Sequence, residues 1–216
     1  MTRDVDFRLY LITDRRRTGG RDLCEVVKLA LDGGVRAVQL REKDLPGGEL
    51  FRLAERLRAL TLSYSARLFV NDRVDVALAV DADGVHLGQR SFSATDARRL
   101  VGKERLIGVS THNIEEALKA ERDGADFVTF GPVYHTPSKA AYGEPVGLEP
   151  LERVVKLLKI PVFAIGGIKK ENIREVLNTG AGGVALISAV LESPEVRESA
   201  AGMIEEFGIK TQRSGS

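Results

Sequence analysis

The 216 residues include no tryptophan, one cysteine and three histidines, and the charged side chains almost cancel, Lys+Arg 32 against Asp+Glu 31 for a formal net charge of +1. Each scarcity closes a class of function. A single cysteine forms no intramolecular disulfide, and Cys24 falls in an apolar-periodic segment, where it reads as a buried core thiol in a reducing compartment, not as a nucleophile. His86 alternates within an apolar strand as a satisfied interior residue, and His135 has no second His or Cys at ligand spacing, so no zinc site is assigned. Near-zero net charge gives no overall field for nucleic acid or an anionic membrane, so any anion must be held locally. No apolar run is long enough to span a bilayer, and Met1–Asp6 is polar, unlike a secretory signal. A cytoplasmic protein is expected, with phosphorylated small molecules as partners, no nucleic acid and no membrane; a homo-oligomer is left open.

What the chain does contain is short apolar, β-branched runs alternating with helical periods, the pattern of a parallel sheet covered by helices. Strands are expected at Phe7–Thr13, Ala37–Leu40, Arg67–Val70, Gly84–Leu87, Leu106–Val109, Phe127–Phe130, Val162–Ile165 and Gly183–Ile187, about the eight that close a barrel. Leu23, Val26, Val27, Ala30 and Leu31 have the spacing of one buried helix face, which Gly33 ends. Asn113 and Glu116 form a capping pattern ahead of Ile114, Ala117 and Leu118. Helices are also expected over Glu171–Asn178 and after Ser193–Pro194. The strings "DGGVRAVQL", "ADGVHL", "DGADFVTF" and "TGAGGVAL" repeat one turn-to-strand unit. The expected fold is α/β, a (β/α)8 TIM barrel in a single domain over residues 1–208, with a polar, disordered tail at 209–216. A doubly wound open sheet remains the alternative, although no Gly-x-Gly-x-x-Gly follows the first strand.

In such a barrel the strand C-terminal ends build the site. The residues there are Asp14; Gln39, Arg41 and Lys43; Asn71 and Asp72; Gln89; Ser110 and His112; Thr136 to Lys139; Gly166 and Gly167; and Ser188. Arg41 and Lys43 alternate along an extended segment, so they share a face with Gln39, and Lys139 lies in a long loop opposite. A charged strand end by itself is more often solvated surface. Cations converging with Asn71, Asp72 and Ser110 instead suggest a diphosphate site, in which Asp72 holds a Mg2+ that also takes phosphate oxygens. "AIGGI", with a helix expected to begin near Lys170, and "LISAV" suggest a second phosphate site, against the plainer reading of a tight turn.

Seven stretches in order, "QLREK", "VNDRVDVAL", "ADGVHLGQ", "GVSTH", "FGPVYHTPSK", "AIGGI" and "GVALISAV", closely resemble thiamine phosphate synthases, and the resemblance runs from about Leu9 to Leu191. It implies a Mg2+-dependent transferase on a (β/α)8 barrel that joins a hydroxymethylpyrimidine diphosphate to a thiazole phosphate. The diphosphate departs first, and the thiazole nitrogen captures the carbocation. By motif, Gln39, Arg41, Lys43, Asn71 and Lys139 would bind the pyrimidine diphosphate, Asp72 the metal and Ser110 a diphosphate oxygen. Thr136, Ser138, Gly167, Ile187 and Ser188 would hold the thiazole phosphate. Arg41, Lys43, Ser110 and Lys139 would be the catalytic set. The chain departs from the family at Gln89-Arg90-Ser91-Phe92, where Ser91 stands at the position of the usual second acidic metal ligand. That segment is similar to the thiazole tautomerases, in which the residue here numbered His112 would serve as acid and base. A barrel that binds phosphate ligands without turnover is the third reading.

Overall fold

The structure, a computed structural model, describes residues 4–136 and 144–208. Strands β1 (Leu9–Ile12), β2 (Ala37–Leu40), β3 (Arg67–Asn71), β4 (Gly84–Leu87), β5 (Leu106–Thr111), β6 (Phe127–Phe130), β7 (Val162–Ile165) and β8 (Gly183–Leu186) alternate with helices α1 (Leu23–Asp32), α2 (Gly47–Ser63), α3 (Val74–Ala79), α4 (Ala94–Val101), α5 (Ile114–Arg122), α6 (Leu148–Leu157) and α7 (Ile173–Asn178). Helices α8 (Ser188–Leu191) and α9 (Val196–Glu205) complete the order. Each strand pairs with the next and β8 returns to β1, Leu11 lying opposite both Val38 and Leu186, so the sheet closes as the expected (β/α)8 barrel. No described helix is long and apolar enough to cross a membrane.

Alternation along the strands divides the core in two. Leu11, Val38, Leu68, Val85, Ile107, Val128 and Val184 point outward and pack beneath the helices. Tyr10, Ile12, Ala37, Phe69, Leu106, Phe127, Phe163 and Ala185 point inward, with Phe7 closing the floor. The interior rings meet edge to face, Tyr10 and Phe69 at 5.2 Å and Phe69 and Phe127 at 5.5 Å between centroids, the geometry that aromatic quadrupoles favour. Residues two positions further along a strand return to the same face. Above this aromatic layer the interior therefore continues with Gln39, Asn71, His86, Ser110, Thr129, Ile165 and Ile187.

Local chemistry sets the helix ends. Asp22 accepts the Cys24 and Glu25 N–H groups at the start of α1, whose buried residues are Leu23, Val26, Val27, Ala30 and Leu31, the face expected from spacing. Asn113 accepts the Glu116 N–H while its amide donates to the Glu116 carboxylate, the reciprocal cap ahead of α5. Several expectations need correction: β3 and β5 run on to Asn71 and Thr111, and β8 stops at Leu186, before Ile187. Cys24 lies one position off the buried face of α1 and is only partly covered, so it is not a core thiol. The first strand is shorter than expected, Leu9–Ile12, with Phe7 below it in the barrel floor and Thr13 just beyond it, its N–H still donated to the Gln39 carbonyl at 2.9 Å. The helix after "AIGGI" begins at Ile173, since the Asn172 side chain accepts the Lys169 N–H and holds a turn there. Ser138, Lys139 and the tail at 209–216 lie outside the described residues.

Candidate active site

The segment leaving β2 shows why its charges separate. Gln39, Arg41 and Lys43 face a cavity of about 470 Å³ inside the rim, while Glu42 between them turns away and is 5% exposed. Glu42 accepts the Thr13 hydroxyl at 2.8 Å, the Arg15 N–H at 3.1 Å and the Arg15 guanidinium at 3.1 Å, and Thr13 Oγ1 accepts the Arg41 N–H at 2.9 Å. This latch fixes the backbone from which Arg41 and Lys43 project. Arg15 and Arg16 are spent on Asp44, and Arg17 pairs with Glu192. Among the described residues no carboxylate forms an ion pair with Arg41 or Lys43, so their charge is available to a ligand.

Asn71 ends β3 and Asp72 follows it, both against the same cavity. Asp72 adopts a left-handed φ of 59°, which turns its carboxylate toward the start of the β4 loop. Oδ1 accepts the Gly88 N–H at 3.0 Å and the Ser91 hydroxyl, and Oδ2 accepts the Asn71 amide at 2.7 Å. Burial opposes ionisation here, but the hydrogen bonds from Ser91 and Gly88, the Lys43 charge and the Asn71 amide outweigh it and hold the Asp72 carboxyl below the usual range. Ser91 thus meets Asp72 directly, as a donor where an acid would repel.

Ser110 lines the cavity from β5, and its hydroxyl lies 3.0 Å from His86 Nε2. His86 is 1% exposed, and burial pushes its pKa down to about 3, with Arg41 lowering it further and Asp72 opposing. The unfolded chain, titrating near 6.5, binds the proton more readily than the fold does. The contribution of this residue to stability is therefore full above that value and is lost progressively as pH drops from 6.5 toward 3. Urea unfolding at stepped pH should show this loss, and a flat profile over that window would contradict neutral burial of His86.

A second cavity of about 460 Å³ adjoins the first and shares Ile165, Ile187 and Ser188 with it. Thr136, Gly166, Gly167 and Ser188 line it. Gly166 and Gly167 have φ of 98° and 66°, and a Cβ on either would fall within 2.6 Å of Pro132 or Tyr134 atoms, so both conformation and space demand glycine. Every described candidate from the sequence reaches one of these two cavities or, for Ser91, the carboxylate at their edge. His112 faces the first cavity, with Nδ1 3.2 Å from Glu116 Oε2. Sequence reasoning missed Arg17 and Thr129, which also line that cavity, and the Glu42 latch. Arg17 sits in a run of three arginines that carries no period, while Thr129 follows Phe127 by two and was recoverable from alternation.

Residues 9–190 match the family model described as thiamine monophosphate synthase. A Geobacter sulfurreducens protein bearing the provisional name thiamine-phosphate synthase is 60% identical over 208 residues, 96% of this chain and 98% of that one. A Clostridium novyi protein named thiamine-phosphate synthase is 43% identical over 194 residues, 90% and 95% of the two chains. Among solved structures, thiamine phosphate pyrophosphorylase from Pyrococcus furiosus superposes with a TM-score of 0.86 at 44% identity, covering 94% of this chain and 96% of that one.

Proposed function

The chain belongs to the thiamine monophosphate synthase family and its activity is thiamine phosphate synthesis, a group transfer; we propose how the two cavities perform it. The larger takes the hydroxymethylpyrimidine diphosphate, the smaller the thiazole phosphate. The observation that carries this reading is their junction at Ile165, Ile187 and Ser188, with uncommitted Arg41 and Lys43 on one side and the Gly166–Gly167 turn on the other.

Arg41, Lys43 and Asn71 hold the diphosphate, joined by Lys139 from outside the described residues, and Ser110 donates to one of its oxygens. The bond from the pyrimidine methylene to the diphosphate oxygen breaks, and its electron pair leaves with the diphosphate. The thiazole nitrogen then gives its lone pair to the methylene carbon, forming the carbon–nitrogen bond. No protein nucleophile is required; the chain supplies fixed positive charge where negative charge develops and holds the two substrates in line. Thr136 and Ser188, with Ser138 from outside the described residues, orient the thiazole phosphate against Gly167 and Ile187.

Asp72 fits one ligand position of a Mg2+, because its ionised carboxylate is held rigidly at the cavity wall. Among the described residues no group of three or more His, Cys, Asp or Glu side chains could hold the ion by itself, which matches a cation that completes its shell with substrate oxygens and water. When bound, it would neutralise phosphate charge. Asp72→Asn is expected to raise the Mg2+ concentration for half-maximal rate by about tenfold, the cost of one lost charge-assisted ligand. An unchanged metal titration would remove Asp72 from that role.

A thiazole tautomerase would use His112 as acid and base, but aromatising a thiazole gives Arg41 and Lys43 no leaving group to stabilise. The test is purified protein with both substrates and Mg2+, following thiamine phosphate and diphosphate, beside an assay with the unaromatised thiazole precursor. Equimolar products in the first assay are expected. Activity in the second alone would establish the tautomerase, and binding without turnover in either would leave a ligand-binding barrel.

A further inference from the structure

Tyr10 and His86 have no part in the chemistry above, yet they connect Ser110, which does, to Gln39 in the wall of the same cavity. Gln39 Nε2 donates to Tyr10 Oη at 3.1 Å, Tyr10 Oη lies 3.4 Å from His86 Nδ1, and His86 Nε2 lies 3.0 Å from Ser110 Oγ. Tyr10 is fully buried and His86 is 1% exposed, packed against the rings of Tyr10 and Phe127. The line crosses the barrel interior and meets the cavity wall at both ends, Gln39 and Ser110, while Tyr10 and His86 lie beneath the lining.

Its direction follows from counting protons. An amide nitrogen only donates, so Tyr10 Oη accepts from Gln39 and its one proton is left for His86 Nδ1. A neutral imidazole that accepts at Nδ1 carries its hydrogen on Nε2 and donates it to Ser110 Oγ. The Ser110 proton has no remaining partner in the line and faces the cavity. Reversing the line would set the Tyr10 proton against the Gln39 amide hydrogens.

We propose that Tyr10 and His86 are positioning residues that fix one imidazole tautomer and thereby hold the Ser110 hydroxyl as a one-way donor toward the departing diphosphate. This rests on the synthase reading for the identity of the recipient. The hydrogen-bond line itself does not. Ser110 then acts as a preaimed dipole, set before the carbon–oxygen bond lengthens, and has no need to break a bond to the protein as charge develops.

Two measurements test this. Nitrogen NMR of histidine-labelled protein without substrate distinguishes the tautomers of His86; a protonated Nε2 with an unprotonated Nδ1 is expected, and a protonated Nδ1 would overturn the proposal. Tyr10→Phe keeps the ring that fills the aromatic layer and removes only the hydroxyl. It is expected to lower kcat about tenfold, the worth of one hydrogen bond's bias, with KM for the pyrimidine diphosphate little changed. In a Ser110→Ala background, itself lowered about 10²-fold, the same change should cost nothing more. Equal losses in both backgrounds would show that Tyr10 acts through packing, and an unaltered kcat in the single variant would show that it does not act. The tautomer is read without turnover. A protonated Nε2 in a protein that makes no thiamine phosphate would refute the synthase reading and its diphosphate recipient, while the locked donor would stand.

Discussion

Arg41→Ala lowers kcat for thiamine phosphate formation by about 10³-fold, the upper range for losing one preorganised donor at a site of developing charge, and leaves the thermal midpoint unchanged. The two halves of this expectation have separate causes. The guanidinium lines the cavity and no carboxylate among the described residues forms an ion pair with it, so its removal breaks no described salt bridge. What anchors the segment is the backbone N–H of Arg41 on Thr13 and the buried carboxylate of Glu42, and alanine keeps both. Arg41→Lys restores a charge without the planar fork and is expected to recover part of the rate. Single-turnover kinetics of diphosphate release, with thermal unfolding alongside, measure both halves. Wild-type turnover in Arg41→Ala would take the residue out of the site, and a lowered midpoint would mean that its role was structural.

Gly84→Ala is expected to cost about 3 kcal/mol, at the upper end for overpacking a closed core. A Cβ there would lie 2.3 Å from the Leu106 carbonyl oxygen and 2.7 Å from Phe69 Cε1. Neither neighbour can yield. The carbonyl belongs to the next strand of a closed sheet, and the ring is held by Phe7, Tyr10 and Phe127 on its other sides. Gly48→Ala makes the same chemical change in the first turn of α2, where the nearest atom is an Arg52 guanidinium nitrogen at 3.8 Å, and is expected to stabilise by about 0.5 kcal/mol. Urea midpoints of the two variants should move in opposite directions. A Gly84→Ala protein as stable as the parent would show that the interior is not close-packed around Phe69.

Strand positions were legible because a parallel strand in a barrel is buried on both faces, so its apolar run begins and ends where the strand does. Ala37–Leu40, Gly84–Leu87, Phe127–Phe130 and Val162–Ile165 coincide with their expected bounds for that reason. Alternation also carried the site: Arg41 and Lys43 face one cavity because Gln39 does. The remainder depends on side chains meeting across the chain. Nothing near Glu42 in sequence announces Thr13 and Arg15, so its burial is a tertiary fact, and the sequence places the cations of the charge run at a ligand without accounting for the acid between them. Ser91 was recognised as a substitution, but its bond to Asp72 depends on the left-handed turn at Asp72 that brings the two together. The helix after "AIGGI" was placed too early because a local Asn172 bond competes with helix initiation there, which pattern alone does not weigh.

One cavity takes the diphosphate and the other the thiazole phosphate in the proposed reaction, and the two meet at Ile187 and Ser188. A crystal structure of the protein with Mg2+, diphosphate and thiamine phosphate tests it most directly. Diphosphate on Arg41, Lys43 and Asn71, with the thiazole phosphate against Gly167 and Ser188, is the predicted result. Diphosphate in the Gly166–Gly167 cavity, or product bound with Arg41 and Lys43 turned away from it, would contradict the account.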